Sequence, residues 1–387
     1  MATTSVGSTT SVSFPACWAF DPYRGPHDEE RNMMLKEHST EAAALNTAAP
    51  AVSLSEIQSR VAGLYGIEGT VRLLAAERDQ NCCIEQADGQ RFVFKISNQS
   101  ESAPVVDFQI AALNYVAESS PALPIPRVVP TLSGKSCENV TWQDGSTTLV
   151  RMLSYLDGVQ IKETIRTSAQ RRTMATCLAR LDLALQGFSH PAASHDLLWN
   201  VSAAHRLTEQ LESVIDPERS RLAGKFMARF QQHVLPYLPA LRAQVIHNDF
   251  HLYNVLVAPE EQDRITGIID FGDLLYAPLV GEVATAAAFH MAGCADPFEG
   301  PAEFVAAYHR TLALTAAEQE IVTDLMATRH LITALISEWR AVRYPHNRDY
   351  ILRHNPAAWE ALSQMADLSR NDARDRLLAE ICNGRHP

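Results

Sequence analysis

The spacing of hydrophobic and polar positions divides the chain into a strand-rich part and a helix-rich part. In the first part, short stretches with apolar residues beside turn signals predict strands. They cover residues 71–76, 81–86, 91–96 and 147–153. Asp88-Gly89 and Asp144-Gly145 lie between strand-forming runs and are strong hairpin-turn signals. Two helices, at residues 55–64 and 105–117, complete the prediction for this part.

A helical period dominates the second part, from about residue 159 to the end. Apolar residues recur there at spacings of three and four. The clearest series is Met174, Leu178, Leu181, Leu185 and Phe188. Thr315, with Glu318 three positions later, is typical of a capping box and predicts the start of a long helix through Trp339. A stretch that forms strands interrupts the helices at residues 245–269.

These two parts predict two lobes preceded by an N-terminal extension. The chain has 387 residues, which is longer than one hydrophobic core usually spans. Residues 1–50 are rich in Ser, Thr and Ala and poor in large apolar residues, so we expect them to be disordered. We assign residues 51–153 to a small β-rich N-lobe and residues 154–387 to a larger helical C-lobe.

Composition and charge narrow the class of protein. The net charge is −12, whereas proteins that bind duplex nucleic acids usually carry a basic face. No apolar run reaches the length of a membrane span. We therefore expect neither nucleic acid nor membrane as a partner. The seven cysteines are scattered and form no C-x-x-C motif, which is typical of a reducing compartment and predicts a cytoplasmic protein.

Three polar residues in the strand-forming interruption carry a pattern that is typical of phosphoryl transfer. Asp249 follows His247 by two positions and precedes Asn254 by five, and Asp270 stands at the end of the apolar run Ile268-Ile269, before Phe-Gly. A carboxylate at Asp249 can accept the proton of a substrate hydroxyl. Asn254 and Asp270 offer oxygen atoms to Mg²⁺. The alternative is that Asp249 and Asn254 are ordinary turn residues.

The joint pattern resembles the aminoglycoside phosphotransferase and choline kinase superfamily over about residues 54–375. Within it, four stretches are more similar to the hydroxylysine kinase branch. They are residues 77–81 (ERDQN), 91–97 (RFVFKIS), 150–158 (VRMLSYLDG) and 178–188 (LARLDLALQGF). The resemblance implies a bilobal protein-kinase-like α+β fold, with ATP or GTP as phosphate donor and Mg²⁺ as cofactor, bound between the lobes.

The resemblance also implies which residues hold the nucleotide. Lys95 would bind the α- and β-phosphates, and Asn81 would lie at a hairpin tip over them. Gln109 stands at the helix position where such folds normally carry a glutamate that orients the lysine, and Asp107 is a possible substitute. The strand at residues 149–153 would contact the base through its backbone, with Tyr155 packed beside it.

Four further residues surround the proposed centre. His247 and Glu282 are expected to support the catalytic loop structurally. For His251 two roles stay open, contact with the reacting phosphate or packing alone. For Asp273 the alternatives are metal or substrate binding and capping of the following segment.

The acceptor follows from the resemblance alone. The first hypothesis is a small amino alcohol, 5-hydroxylysine above all. The second is an aminoglycoside, another amino sugar or a choline-type alcohol. A third hypothesis, from another class, is a nucleotide-binding protein without catalytic activity, which the full set of Asp249, Asn254, Asp270 and Lys95 disfavours.

Overall fold

The structure is a computed structural model. It describes residues 49–76, 78–292 and 296–383, without the side chains of the last two. Almost all of the segment predicted to be disordered, residues 1–50, lies outside the described residues. So does Glu77, the first residue of one of the stretches that carry the family resemblance.

An antiparallel sheet dominates the N-terminal third of the described chain. Its strands are β1 (Thr70–Leu74), β2 (Gln80–Glu85), β3 (Arg91–Ile96), β4 (Val128–Val129), β5 (Glu138–Thr141) and β6 (Thr147–Ser154). Their order is β1-β2-β3-β6-β4, and β5 pairs with β6. Gly89 and Gly145 adopt φ of 87° and 85° at the two predicted hairpin turns. Because side chains rarely tolerate such angles, glycine sets both turns.

Two helices flank this sheet. Helix α1 (Leu54–Tyr65) begins after Ser53, whose hydroxyl accepts the backbone N–H of Glu56 at 3.3 Å. In a full capping box the Glu56 side chain would accept the Ser53 backbone N–H. Here it accepts the backbone N–H of Gln143 instead. Helix α2 (Ala103–Ser119) is two residues longer at each end than the pattern predicts. Buried Ile57 and Val61 pack with the sheet's apolar face.

The rest of the described chain is mainly helical. Its α-helices are α3 (Ser168–Leu185), α4 (Pro217–His233), α5 (Leu279–Ala288), α6 (Glu299–Thr311), α7 (Ala316–Arg343), α8 (Arg348–Ile351), α9 (Asn355–Ala366) and α10 (Arg370–Asn383). The capping box predicted at Thr315 and Glu318 opens α7, with both of its hydrogen bonds present. Helix α5 is buried along its whole length. These helices therefore supply a rigid base for the loops between them.

Short strands between α4 and α5 position the polar motif. They are β8 (Ala243–Ile246), β9 (Val255–Val257), β10 (Ile265–Ile268) and β11 (Leu275–Pro278). Strand β9 pairs with β10 and with β7 (Val159–Gln160), while β8 pairs with β11. The loop from β8 to β9 and the turn after β10 are joined where the Ile269 N–H donates to the Asn254 carbonyl at 2.9 Å. Both halves of the motif therefore meet.

The predicted fold class is confirmed: the molecule is a bilobal protein-kinase-like α+β structure, with a sheet-rich N-lobe and a helical C-lobe. The lobe boundary predicted between residues 153 and 154 falls at the last residue of β6, and this boundary stays a prediction. Within the described part of the chain, no helix has both the length and the apolar character that a membrane span requires.

Candidate active site

The loop that carries Asp249 begins directly after β8 and is held by buried groups. Asn248 adopts φ of 64°, a left-handed conformation that asparagine tolerates better than most residues. Its backbone N–H donates to the Glu282 carboxylate at 2.6 Å. Glu282 lies in buried helix α5 and is itself fully buried, and burial raises the pKa of its carboxyl group well above the ordinary value. The contact is the one expected of a residue that supports the loop.

His247 occupies the base of the same loop and is fully buried. Its Nδ1 accepts the Asp249 backbone N–H at 3.3 Å, and its Nε2 lies 3.2 Å from the Ile269 carbonyl. Burial lowers the pKa of the imidazole, so the ring is neutral and Nε2 donates to that carbonyl. The ring packs edge-on against Phe271 at 4.7 Å between centroids. Both nitrogen atoms bind backbone, which fits a supporting role.

Asp249 is held by three side chains. The Asn254 amide donates to Asp249 Oδ2 at 2.7 Å. The other oxygen, Oδ1, lies 3.3 Å from Arg329 Nη2 and 3.2 Å from His251 Nε2. About a fifth of the Asp249 side chain remains exposed. The carboxylate is therefore fixed in orientation and still accessible to a small molecule.

Burial of Asp249 raises the pKa of its carboxyl group, but the surrounding charges lower it by more. His251 and Arg329 act in this direction, and the pKa falls from 3.8 to about 2. The carboxyl group is ionised at neutral pH as a result. It can accept a hydrogen bond from a substrate hydroxyl.

Asp270 stands at the end of β10 in an unusual backbone conformation. Its φ of 63° and ψ of 71° lie in the left-handed region, which turns its exposed side chain away from the strand direction. Gly272 lies close by, and a Cβ atom there would lie 3.1 Å from Asp270 Oδ1. A glycine at this position therefore leaves room for the carboxylate.

The donor set fits Mg²⁺. The Asn254 amide directs its nitrogen to Asp249, which leaves its oxygen available, and Asp270 supplies an exposed carboxylate. Among the described residues, no group of three or more His, Cys, Asp or Glu side chains could enclose a metal ion. Mg²⁺ is commonly held by one or two protein oxygens together with substrate phosphates, so two oxygen donors suit it.

Lys95 lies on β3 and is nine-tenths buried. The family pattern places its acidic partner on helix α2, but the residue that pairs with it lies elsewhere. Lys95 Nζ lies 3.7 Å from Asp79 Oδ2. Asp107, considered above as a substitute partner, instead contacts His190 at 3.1 Å, and its own side chain is mostly exposed. The interpretation of Asp107 as the lysine's partner is therefore wrong, since Asp79 occupies that place.

Gln109 joins the two lobes. Its Nε2 donates to the Gly272 carbonyl at 3.0 Å, and its Oε1 accepts from Arg151 Nη2 at 2.7 Å. Both ends of the amide are thus engaged away from Lys95. Gln109 positions the turn that carries Asp270, and its assignment to nucleotide binding stays a prediction without a direct contact in its favour.

Asn81 and Tyr155 both lie beside strand β3. Asn81 is next to Lys95, and Tyr155 is next to Arg91. Asn81 pairs with Lys95 across the β2–β3 ladder, and its Oδ1 is buried without a hydrogen-bond partner among the described residues. The Arg91 guanidinium lies 4.5 Å from the centre of the Tyr155 ring, and the backbone N–H of Tyr155 donates to the Arg91 carbonyl. A nucleotide contact for either residue remains a prediction.

Asp273 forms a bridge between the lobes. Its Oδ1 accepts from Arg78 Nη2 at 2.9 Å. Burial raises the pKa of its carboxyl group to about 6, with Asp249 and Asp270 acting in the same direction and Arg78 against it. The carboxylates of this site therefore lie near enough to repel one another, which is the setting that a cation relieves.

Sequence reasoning missed Arg329, Arg78 and Asp79. Arg329 lies 80 positions after Asp249, on helix α7, where an isolated arginine gives no signal by itself. Arg78 and Asp79 belong to the ERDQN stretch, so the resemblance located them without indicating their partners. Two aromatic rings beside Arg329, of Trp199 and Phe289, also have no motif around them.

Comparison with known proteins identifies the family. The model of the phosphotransferase enzyme family matches residues 70–321. Hydroxylysine kinase of Danio rerio is 25% identical over 339 residues, which are 84% of this chain and 95% of that protein. Hydroxylysine kinase of Mus musculus is 24% identical over 347 residues, with 84% and 92% covered.

Solved structures show the same fold at lower identity. A microcompartment-associated aminopropanol kinase superposes with a TM-score of 0.64 at 18% identity, covering 84% of this chain and 98% of that one. The amicoumacin kinase hAmiN, solved with AMP-PNP, Ca²⁺ and Ami, has a TM-score of 0.59 at 16% identity, covering 81% and 96%. The loop, the paired carboxylates and these matches agree, and the chain belongs to the phosphotransferase enzyme family, as an enzyme that phosphorylates an alcohol group.

Proposed function

We propose that this enzyme transfers the terminal phosphate of ATP or GTP to the hydroxyl group of an amino alcohol, with 5-hydroxylysine as the acceptor. The observation that carries the proposal is the ionised Asp249 carboxylate, fixed by Asn254 and Arg329 and still accessible. The curated relatives support the acceptor, because both matches named above are hydroxylysine kinases and extend over 84% of this chain.

In the proposed reaction, the N-lobe (residues 51–153) holds the nucleotide and the C-lobe (residues 154–387) holds the acceptor. Lys95, oriented by Asp79, binds the α- and β-phosphates. Asp249 accepts a hydrogen bond from the acceptor hydroxyl, aligns its oxygen with the terminal phosphate, and takes its proton as the phosphate transfers. Mg²⁺ held by Asn254 and Asp270 would offset the negative charge of the phosphates.

The surroundings of Asp249 suit an acceptor with an ammonium group. Aromatic rings follow one another beside the loop: His251 packs on Phe289 at 4.7 Å, and Tyr253 packs on His354 at 5.3 Å. These side chains are half-buried, so part of each remains exposed. Ring faces and carboxylates both attract ammonium groups. This combination favours an amino alcohol over a neutral sugar.

A nucleotide-consumption screen tests the proposal. The acceptors are 5-hydroxylysine, ethanolamine, choline, homoserine and an aminoglycoside, each with Mg²⁺ and either ATP or GTP. We expect rapid consumption with 5-hydroxylysine and much slower consumption with the others. Efficient use of the aminoglycoside alone would overturn the acceptor, and no consumption with any acceptor would overturn the proposed reaction.

A matched pair of variants shows that the consumption arises at this site. Asp249→Asn removes the proposed base. Asp263→Asn makes the same change at an exposed position between β9 and β10, away from the loop. We expect the first variant to lose turnover and the second to retain it.

A further inference from the structure

Arg329 is the feature of the site that the proposed reaction does not yet use. It lies in the middle of helix α7, and only 7% of its side chain is exposed. Its Nη2 lies 3.3 Å from Asp249 Oδ1, and its guanidinium lies 5.2 Å from the centre of the Trp199 ring. A buried cation thus directly adjoins the proposed base.

The hydrogen bonds of Arg329 are few and long. A guanidinium group has five N–H donors. Here Nη2 makes its 3.3 Å contact with Asp249, Nη1 lies 3.5 Å from the Trp199 carbonyl, and Nε is buried without a partner among the described residues. Buried donors without acceptors destabilise a fold. The guanidinium therefore has unused capacity for a planar anion.

Two aromatic rings and the Asp249 carboxylate surround the Arg329 guanidinium. The Trp199 and Phe289 rings lie 5.2 and 5.7 Å from the guanidinium, and both are only half-buried. Among the described residues, the one carboxylate paired with Arg329 is that of Asp249. An acceptor whose hydroxyl reaches Asp249 consequently passes within a few ångströms of Arg329.

We propose that Arg329 binds the carboxylate of the acceptor, and that the acceptor class is therefore amino acids with a hydroxyl group on the side chain. This inference rests on the proposed function, since it assumes an amino alcohol at Asp249. Arginine is suited to the task because its planar fork matches a carboxylate in two parallel hydrogen bonds. Amines without a carboxylate, such as ethanolamine, choline and aminoglycosides, would leave Arg329 with only its long contacts to Asp249 and the Trp199 carbonyl.

A single 5-hydroxylysine molecule is long enough to contact both Arg329 and Asp249. In 5-hydroxylysine the carboxylate carbon and the hydroxyl-bearing carbon are separated by four bonds, which span roughly 5 Å when extended. Arg329 and Asp249 adjoin one another, so one molecule of this length can contact both residues. In that arrangement the carboxylate pairs with Arg329 while the hydroxyl donates to Asp249.

The test combines a change in the enzyme with a change in the acceptor. The acceptors are 5-hydroxylysine, its carboxamide and its decarboxylated analogue, and the enzymes are wild type, Arg329→Gln and Arg343→Gln. Arg343 is an exposed arginine on the same helix that stacks on Trp339, so its variant is a control for the substitution itself. The measured quantity is kcat/KM for each acceptor, with KM and kcat separated.

We expect the wild type and Arg343→Gln to prefer 5-hydroxylysine over both analogues by about 10- to 100-fold, the range of a charged hydrogen bond. In Arg329→Gln the preference should fall to within about threefold, mainly through a higher KM for 5-hydroxylysine. An effect that Arg329 exerts only through Asp249 would lower turnover of all three acceptors equally. That result would overturn the inference and leave the proposed function intact.

Two further outcomes are informative. A wild-type enzyme that uses the decarboxylated analogue as well as 5-hydroxylysine overturns the inference without any variant, so a poorly folding Arg329→Gln protein does not prevent the test. If the wild type binds nucleotide but phosphorylates none of the three acceptors, the proposed function fails, and the inference fails with it.

Discussion

Replacing Asp249 by asparagine tests both the chemistry and the hydrogen bonds of the site. Each oxygen of the Asp249 carboxylate accepts: Oδ2 from the Asn254 amide at 2.7 Å, and Oδ1 from Arg329 at 3.3 Å. An asparagine has one oxygen and one NH₂ group. In one orientation the NH₂ faces the Asn254 NH₂, and in the other it faces the guanidinium. Either way, two donors face each other.

The magnitudes follow from these contacts. Loss of the base should lower kcat by about 10²- to 10⁴-fold, the usual contribution of a positioned general base. One unsatisfied buried donor should lower the free energy of unfolding by about 1–3 kcal/mol. For a chain of this size that corresponds to a decrease in Tm of about 1–4 °C. Nucleotide affinity should change little, because Asp249 lies on the acceptor side.

Three measurements on Asp249→Asn separate these effects. Steady-state ADP or GDP release with 5-hydroxylysine gives kcat, calorimetry gives the nucleotide Kd, and thermal unfolding gives Tm. Asp263→Asn, in an exposed turn, is the matched control and should resemble the wild type in all three. An Asp249→Asn enzyme that keeps more than a tenth of the wild-type kcat would refute the assignment of the base. An unchanged Tm would refute the donor–donor argument.

Three other changes have defined outcomes. Lys95→Met should raise the nucleotide Kd at least tenfold, since a charge-assisted phosphate contact is lost; an unchanged Kd in calorimetry would contradict the role of Lys95. Asp273→Asn removes the 2.9 Å ion pair with Arg78, and nucleotide KM should rise severalfold, by somewhat less at high salt because the pair is partly exposed; a KM equal to that of the wild type would contradict this. For Asp182, burial raises the pKa to about 8 even though the Tyr308 hydroxyl donates to it at 2.7 Å. The folded state therefore retains a proton that the unfolded chain releases near pH 4, so stability should fall from about pH 4 to 8, and Asp182→Asn should flatten that decline in urea unfolding; a slope identical to the wild type would exclude Asp182 as its source.

The sequence located the centre of the site because its signals are local. The spacing from His247 to Asn254 lies on one loop between two short strands, and Asp270 follows the next strand. Strand pairing then brings the two halves together, as the hydrogen bond from the Ile269 N–H to the Asn254 carbonyl shows. The hairpin glycines and the Thr315 cap were predictable for the same reason, since each depends on residues within four positions.

The contacts that cross the molecule were not predictable in this way. Arg329 reaches Asp249 from a helix 80 positions away, and Arg78 reaches Asp273 across 195 positions. Gln109 occupies the expected place on helix α2 and yet bonds Gly272 and Arg151. Such pairings depend on how the lobes pack, and the sequence around an isolated charged residue does not indicate its distant partner.

The bridge made by Gln109 also bears on how the enzyme responds to its ionic environment. Gln109 and Arg78 both connect the sheet-rich lobe to the turn after Asp270: Gln109 through a neutral amide bonded to the Gly272 carbonyl, and Arg78 through an ion pair with Asp273. Dissolved salt weakens the ion pair in part, because its side chains are 26% and 15% exposed, and has little effect on the neutral hydrogen bond. Raising the ionic strength should therefore loosen one attachment and keep the other, so that the turn pivots about Gln109 without separating from the opposite lobe.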